Sequence, residues 1–144
     1  METQNYANHR QFVPMFHAVL LGILVLTLIG AGVNLYESWG DHIRLYSASL
    51  VFVLAFCVLL MWVFVRVFPL KAQDRAIRAE ENLRHFAITG KLLDPRLSIR
   101  QIVALRFAAD GEFAALASRA AQENLQPDDI KKAVKTWRAD TYRV

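Results

Sequence analysis

Two apolar stretches, each long enough to cross a bilayer and joined by a short polar link, constrain this chain more than any other feature. The first runs from Val13 to Tyr36 around HAVLLGILVLTLIGAGVNLY, and the second from Leu45 to Phe68 around SASLVFVLAFCVLLMWVFVRVF. Neither carries a charge through its middle. Each has the roughly 20 residues needed to cross about 30 Å of hydrocarbon as a helix. The fold class expected is all-α: a two-span transmembrane helical hairpin followed by a small helical module on the cytoplasmic side.

Average composition hides this division. A 55% hydrophobic fraction and a mean hydropathy of +0.25 blend a very apolar first half with a charged second half. The boundaries expected are an N-terminal cytoplasmic segment 1–12, a first span 13–36, an outer link 37–44 and a second span 45–68. A juxtamembrane helix 69–90 and a cytoplasmic three-helix module 91–144 complete the chain. The segment before the first span holds Glu2 and a single fixed cation, Arg10. The apolar run also exceeds a cleavable signal core, so it reads as a retained signal anchor. The lone cysteine, Cys57, lies mid-span and leaves no intrachain disulfide or cysteine-based zinc motif to expect.

Orientation follows from Lys and Arg on the two sides of the spans. The link ESWGDHIR carries Arg44 beside two acids, whereas Arg10 flanks the first span and Arg66, Lys71, Arg75 and Arg78 follow the second. Both termini are therefore expected in the cytoplasm. Arg66, Lys71, Arg75 and Arg78 are the candidate headgroup contacts, with Arg66 snorkelling from the span end. Trp39, Tyr36 and Tyr46 at one boundary, and Phe12, Phe16, Trp62, Phe64 and Phe68 at the other, are expected to form aromatic belts.

Beyond Pro69, which is expected to kink the exit of the second span, Leu70, Ala76, Ile77, Leu83 and Ala87 suggest an apolar helical stripe ending near Gly90. Asp94-Pro95 favours a turn. Ser98-x-x-Gln101 has capping-box spacing ahead of Ile99, Ile102, Val103 and Phe107. Asp110-Gly111 is expected to break that helix and cap the next, whose buried face is Phe113, Leu116, Ala117 and Ala120. Pro127 suits the first turn of a last helix, with Ile130, Val134 and Trp137 recurring at i, i+4 and i+7.

Several blocks resemble one group of small bacterial membrane proteins: Gln4-Asn5-Tyr6 with Asn8-His9; Val13-Pro14 with Phe16-His17; Asn34-Leu35-Tyr36; Ile102 to Ala108; and Ile130 to Lys135 with Trp137-Arg138-Ala139-Asp140 and Arg143. The pattern is similar to an uncharacterised two-span family, a domain of unknown function, over essentially the whole chain. The resemblance implies a multi-pass protein of the bacterial inner membrane. It brings no catalytic or ligand residues.

The chemistry-bearing residues point the same way. His17 and Asn34 are the polar residues near the ends of the first span, read as interfacial polar contacts. Haem held between two histidines needs a second intramembrane histidine, and the second span has none. Ion conduction needs a polar stripe or a midplane carboxylate, and neither span holds Asp or Glu. Glu81 and His85 at i, i+4 supply two metal ligands where stable sites use three or four. No nucleophile triad, phosphate loop or CxxC is present, so no enzyme and no cofactor are expected. Lys131, Lys135 and Arg138, with Lys132, form a basic flank diluted by Asp128, Asp129 and Asp140, which argues against nucleic acid as a partner.

What remains are surfaces for packing. Ala18-x-x-x-Gly22 and Gly30-Ala31-Gly32 place small residues where membrane helices approach closely, so Ala18, Gly22, Gly30 and Gly32 are candidate helix-packing positions. Trp137 is a core or partner anchor. The expected function is a non-enzymatic scaffold or accessory subunit working with the lipid bilayer, as a homo-oligomer or beside other membrane-complex subunits. An oligomeric small channel or transporter, with His17 and Asn34 lining a path, is the alternative.

Overall fold

A computed structural model describes residues 4–9 and 12–140, and among these the fold is all-α. Arg10 and Arg143, which entered the orientation count and the resemblance, lie outside the described residues. A π-helical turn, Met15–Leu20, leads into α1, Leu21–Glu37. Then follow α2, His42–Thr89; α3, Ile99–Leu105; α4, Asp110–Glu123; and α5, Pro127–Ala133. The chain divides into two compact units: 12–68, and 69–144 together with the N-terminal segment.

The first unit is an antiparallel hairpin of α1 and the first part of α2. Two helices here are long and apolar enough to cross a membrane, with mean hydropathies of 2.4 and 2.8 over their most apolar windows. The link is shorter than expected, because Asp41 accepts hydrogen bonds from the Ile43 and Arg44 amides and starts α2 at His42. Gly40 supplies the left-handed turn at φ +101°.

Burial within the hairpin follows a strict 3–4 spacing. His17, Leu21, Leu24, Leu28, Ala31, Leu35 and Ser38 turn inward on one helix; Leu45, Ala48, Phe52, Ala55, Leu59, Trp62 and Arg66 do so on the other. Such a seam is that of two helices packed with coiled-coil geometry. Gly32 lies on it, and a Cβ there would stand 3.6 Å from Phe52 Cε2. At the open end the Trp62 indole donates to the Phe16 carbonyl at 3.1 Å while the two rings stack 5.2 Å apart. Trp62 and Phe16 thus close the seam as well as lying at the hairpin end. All remaining faces carry exposed Leu, Ile, Val and Phe; Leu26 and Leu54 are 70% and 65% exposed.

In the second unit, residues 69–89 of α2 carry a packed face of Leu70, Gln73, Ile77, Glu81 and Arg84. The stripe expected from the sequence is split: Ile77 is buried, while Ala76, Leu83 and Ala87 are exposed. The reason is that charged Glu81 and Arg84, paired with the module, occupy the inward positions. The helix is unbroken at Pro69 and ends at Gly90, whose φ of +73° turns the chain away.

α3 opens at the capping box read from the sequence. The Ser98 side chain accepts from the Gln101 amide, and Gln101 Oε1 accepts from the Ser98 amide at 2.7 Å. Gln101 is itself buried, and its amide nitrogen donates to the Leu125 carbonyl at 2.9 Å, tying the start of α3 to the end of α4. Phe113, Leu116, Ala117 and Ala120 are buried on α4 as their spacing predicts, joined in one core by Leu93, Leu97, Ile102, Leu105 and Ile130.

Two expectations for this unit are corrected. Asp110 is the first residue of α4 and Ala109 is its N-cap, because the Asp110 carboxylate is engaged by Arg84. The last helix stops at Ala133, so Ile130, Val134 and Trp137 do not share one helical face. From Val134 the backbone is extended and pairs with the end of α3. Ala108 and Trp137 form an isolated antiparallel bridge, with Arg138 N–H to Phe107 O at 2.7 Å and Ala109 N–H to Thr136 O at 3.0 Å. The Glu112 carboxylate accepts from the Lys135 and Thr136 amides, satisfying backbone donors that a helix would have used internally.

Candidate functional site

The polar chemistry of this chain is concentrated where α2 meets the helical module. Arg84 is its centre. Its Nη1 donates to Glu81 Oε2 at 2.9 Å, its Nε to Asp110 Oδ1 at 2.7 Å, and its Nη2 to the Ala108 carbonyl at 2.6 Å. The guanidinium carbon sits over the Phe113 ring, 4.2 Å from its centroid. The planar fork of arginine fits this position because three acceptors and an aromatic face converge on one side chain.

Glu81 is 5% exposed, and its second oxygen faces Arg138 Nη1 at 3.8 Å. One turn of α2 thereby holds both the α3–α4 junction and the C-terminal extended segment. A shallow cleft bounded by Gln73, Glu80, Glu81, Arg106, Arg138 and Asp140 borders this cluster. Its charges are largely internally compensated: Arg106 Nε lies 2.8 Å from Asp140 Oδ2, and the Arg106 guanidinium stacks 4.5 Å over Phe107. Two signs of charge already joined in pairs make a structural clamp, not a seat for a small ion.

The N-terminal segment completes the unit. Tyr6 donates to Asp128 Oδ2 at 3.2 Å, and Gln4 Oε1 accepts the Asp140 amide at 2.8 Å. His9 is buried against Tyr6, Phe107 and Trp137, with ring centroids 5.6, 5.7 and 5.9 Å away. Trp137 and Phe107 stand 4.9 Å apart. The terminal blocks noted in the sequence, Gln4-Asn5-Tyr6 with Asn8-His9 and Trp137 to Asp140, therefore lie against one another. Trp137 is half-buried as an anchor within this aromatic group.

The other sequence-derived positions are scattered. His17 is half-buried, with its Nδ1 3.0 Å from the Val13 carbonyl and its ring between Phe12 and Phe16. Asn34 is exposed near the link, beside Glu37, Ser38, Arg44 and Ser47. Ala18, Gly22 and Gly30 face outward, and a Cβ on Gly22 or Gly30 would meet nothing within 4 Å. Of the four small residues only Gly32 reaches the seam. Arg66 is half-buried, whereas Lys71, Arg75 and Arg78 are exposed along α2. Lys135 and Arg138 lie in the extended segment, so the expected basic flank of the last helix is not a single helical face.

His85 is turned to the chain end of its own helix, with Nδ1 2.7 Å from the Lys91 carbonyl. Glu81 points to Arg84 instead, and among the described residues no three His, Cys, Asp or Glu side chains converge on a point that could hold a metal.

Sequence reasoning did not single out Arg84, Arg106, Tyr6 or His9. Each also has a distant partner, from Ala108, 24 residues beyond Arg84, to Trp137, 128 beyond His9, and no local spacing rule reaches that far. The blocks that carried the resemblance were the available signal, since they contain Tyr6, His9 and Arg106.

Comparison with known families matches residues 1–144 to DUF6526, a family of unknown function. The chain belongs to that family. No curated protein and no solved structure matches it. Among the described residues, Gln4, Tyr6 and His9 close the unit against Asp140, Asp128 and Trp137 respectively.

Proposed function

We propose that this DUF6526 protein is a non-enzymatic integral membrane protein of the bacterial inner membrane. Its hairpin spans the bilayer twice, and its helical unit lies in the cytoplasm and binds other protein. It serves as a scaffold or an accessory subunit, as a homo-oligomer or within a larger membrane complex. The observation that carries this reading is the combination of the two units. The hairpin leaves large apolar side chains exposed on all faces outside its seam, including Ile23, Leu26, Leu54 and Met61. Water does not tolerate an apolar surface of that extent, and hydrocarbon does.

The flanks on both sides of the hairpin fold into one unit, which an even number of crossings permits. Exposed Lys71, Arg75 and Arg78 follow the second span, as the positive-inside rule asks of a cytoplasmic flank. The bacterial assignment rests on the family resemblance.

Topology and assembly are tested together. In a Cys57→Ser background, Trp39→Cys should react with a membrane-impermeant maleimide in intact cells, and Arg96→Cys only after permeabilisation. The reverse pattern would overturn the orientation. Purification from native membranes in mild detergent should give a particle heavier than one chain. A monodisperse single chain would remove the scaffold reading.

A further inference from the structure

The outer face of α2 beyond Pro69 is an unpaired coiled-coil seam. Ala72, Ala76, Ala79, Leu83 and Phe86 recur at intervals of four and three, on the side of the helix away from Ile77, Glu81 and Arg84. All five are exposed, Leu83 to 69% and Phe86 to 51%. Two large apolar side chains and three alanines, continuous along one stripe, are out of place on a solvated helix. The stripe has the 3.5-residue period of a two-helix seam.

We infer that a second copy of this chain docks here, the two α2 helices running parallel and pairing along Ala72, Ala76, Ala79, Leu83 and Phe86. Charge decides between occupants. Exposed Arg75 borders the stripe on one side and exposed Glu80 on the other, five residues apart. In a parallel pair, residues bordering the seam on opposite flanks and five apart meet across the interface. Each copy thus offers an Arg75 for its partner's Glu80, and the two-fold axis repeats the contact. Such a surface is complementary to itself.

An anionic membrane surface fits less well, since Glu80 on one rim opposes headgroups and an interfacial helix is cationic along its polar edge. The alanines allow close approach of the backbones, and Leu83 and Phe86 supply the knobs. The parallel sense rests on the membrane reading above, because two copies inserted with the same orientation present parallel α2 helices.

The test is disulfide cross-linking of the full chain in native membranes, in a Cys57→Ala background. Ala79→Cys and Leu83→Cys should form disulfide-linked dimers with copper phenanthroline, and the off-seam control Arg78→Cys should not. Arg75→Glu or Glu80→Arg should each slow dimer formation about fivefold, the effect expected from two exposed ion pairs of ordinary strength. Combining both reversals should restore the rate.

Equal cross-linking at all three positions, none at Ala79→Cys and Leu83→Cys, or single reversals without effect would overturn the inference. So would protection of these cysteines from labelling without self-cross-linking, which would assign the face to lipid or another protein. Carbonate extraction of the same membranes reports separately on the membrane reading. Protein that stays in the pellet without cross-linking refutes the dimer alone, and protein released to the supernatant refutes the membrane placement.

Discussion

Replacing Arg84 by methionine should destabilise the helical unit strongly. Methionine keeps the stem over Phe113 but removes every charge-assisted contact. The Asp110 carboxylate is 75% exposed, so water replaces that contact at a cost of about 0.5 kcal/mol. Glu81 is different, because its side chain is 7% exposed and its other cation, Arg138, stands at 3.8 Å. Leaving one partner of a buried pair behind costs about 3 kcal/mol. The Ala108 carbonyl also loses its donor, about 1 kcal/mol more. These terms overlap, and the expected loss is roughly 3–4 kcal/mol.

Urea titration of detergent-solubilised protein measures this loss, with Trp137 emission followed in a Trp39→Phe, Trp62→Phe background. Arg119→Ala, which breaks an exposed pair with Glu123, is the control and should cost under about 0.5 kcal/mol. Adding Glu81→Leu to Arg84→Met should recover a large part of the loss, since no buried charge then remains. An Arg84→Met midpoint equal to that of Arg119→Ala would refute the clamp, as would a double variant worse than the single one.

His9→Ala should uncover Phe107 and Trp137, shifting Trp137 emission to the red and costing about 1–2 kcal/mol in the same titration. An unchanged spectrum would mean that the N-terminal segment does not dock. Gly32→Leu should disrupt the hairpin seam at Phe52 and lower its thermal resistance to aggregation in detergent, while Gly22→Leu should leave the hairpin intact because nothing lies within 4 Å of its Cβ position; equal behaviour of the two would contradict the seam.

Hydrogen bonds from Arg96 hold the Asp94 carboxyl at about 2, below its ordinary 3.8. The stabilisation of this turn is therefore full above the ordinary value and fades as pH falls through about 2. An NMR titration should find that midpoint, and Arg96→Ala should return it toward 3.8.

How much of this was visible in the chain depends on the range of the interaction responsible. Ser98 and Gln101 announced the start of α3, and Pro127 the start of α5, because capping is settled within four residues. The buried face of α4 was legible since its apolar residues alternate with Glu112, Arg119 and Glu123 and so reveal a period. The hairpin seam was not. In α1 nearly every side chain is apolar, and no contrast distinguishes Leu24 and Leu28, which face α2, from Ile23 and Leu26, which face outward. Gly22 and Gly32 look equivalent in sequence for the same reason, and within the chain only the second meets a neighbour.

The extended close of the chain shows the same limit from the other side. Val134 and Trp137 continue a helical spacing from Ile130. Yet backbone donors at Lys135, Thr136 and Arg138 find acceptors on Glu112 and Phe107, and those acceptors exist only once α3 and α4 have packed. Length, apolarity and charge placement are additive along a chain, so the sequence by itself determined two long apolar helices, an intervening turn and a charged helical remainder. Which face of α2 turns inward, and that Arg84, Glu81, His9 and Trp137 belong to one unit, depended on groups far apart in sequence satisfying one another's charges and hydrogen bonds. Only the tertiary structure could decide that.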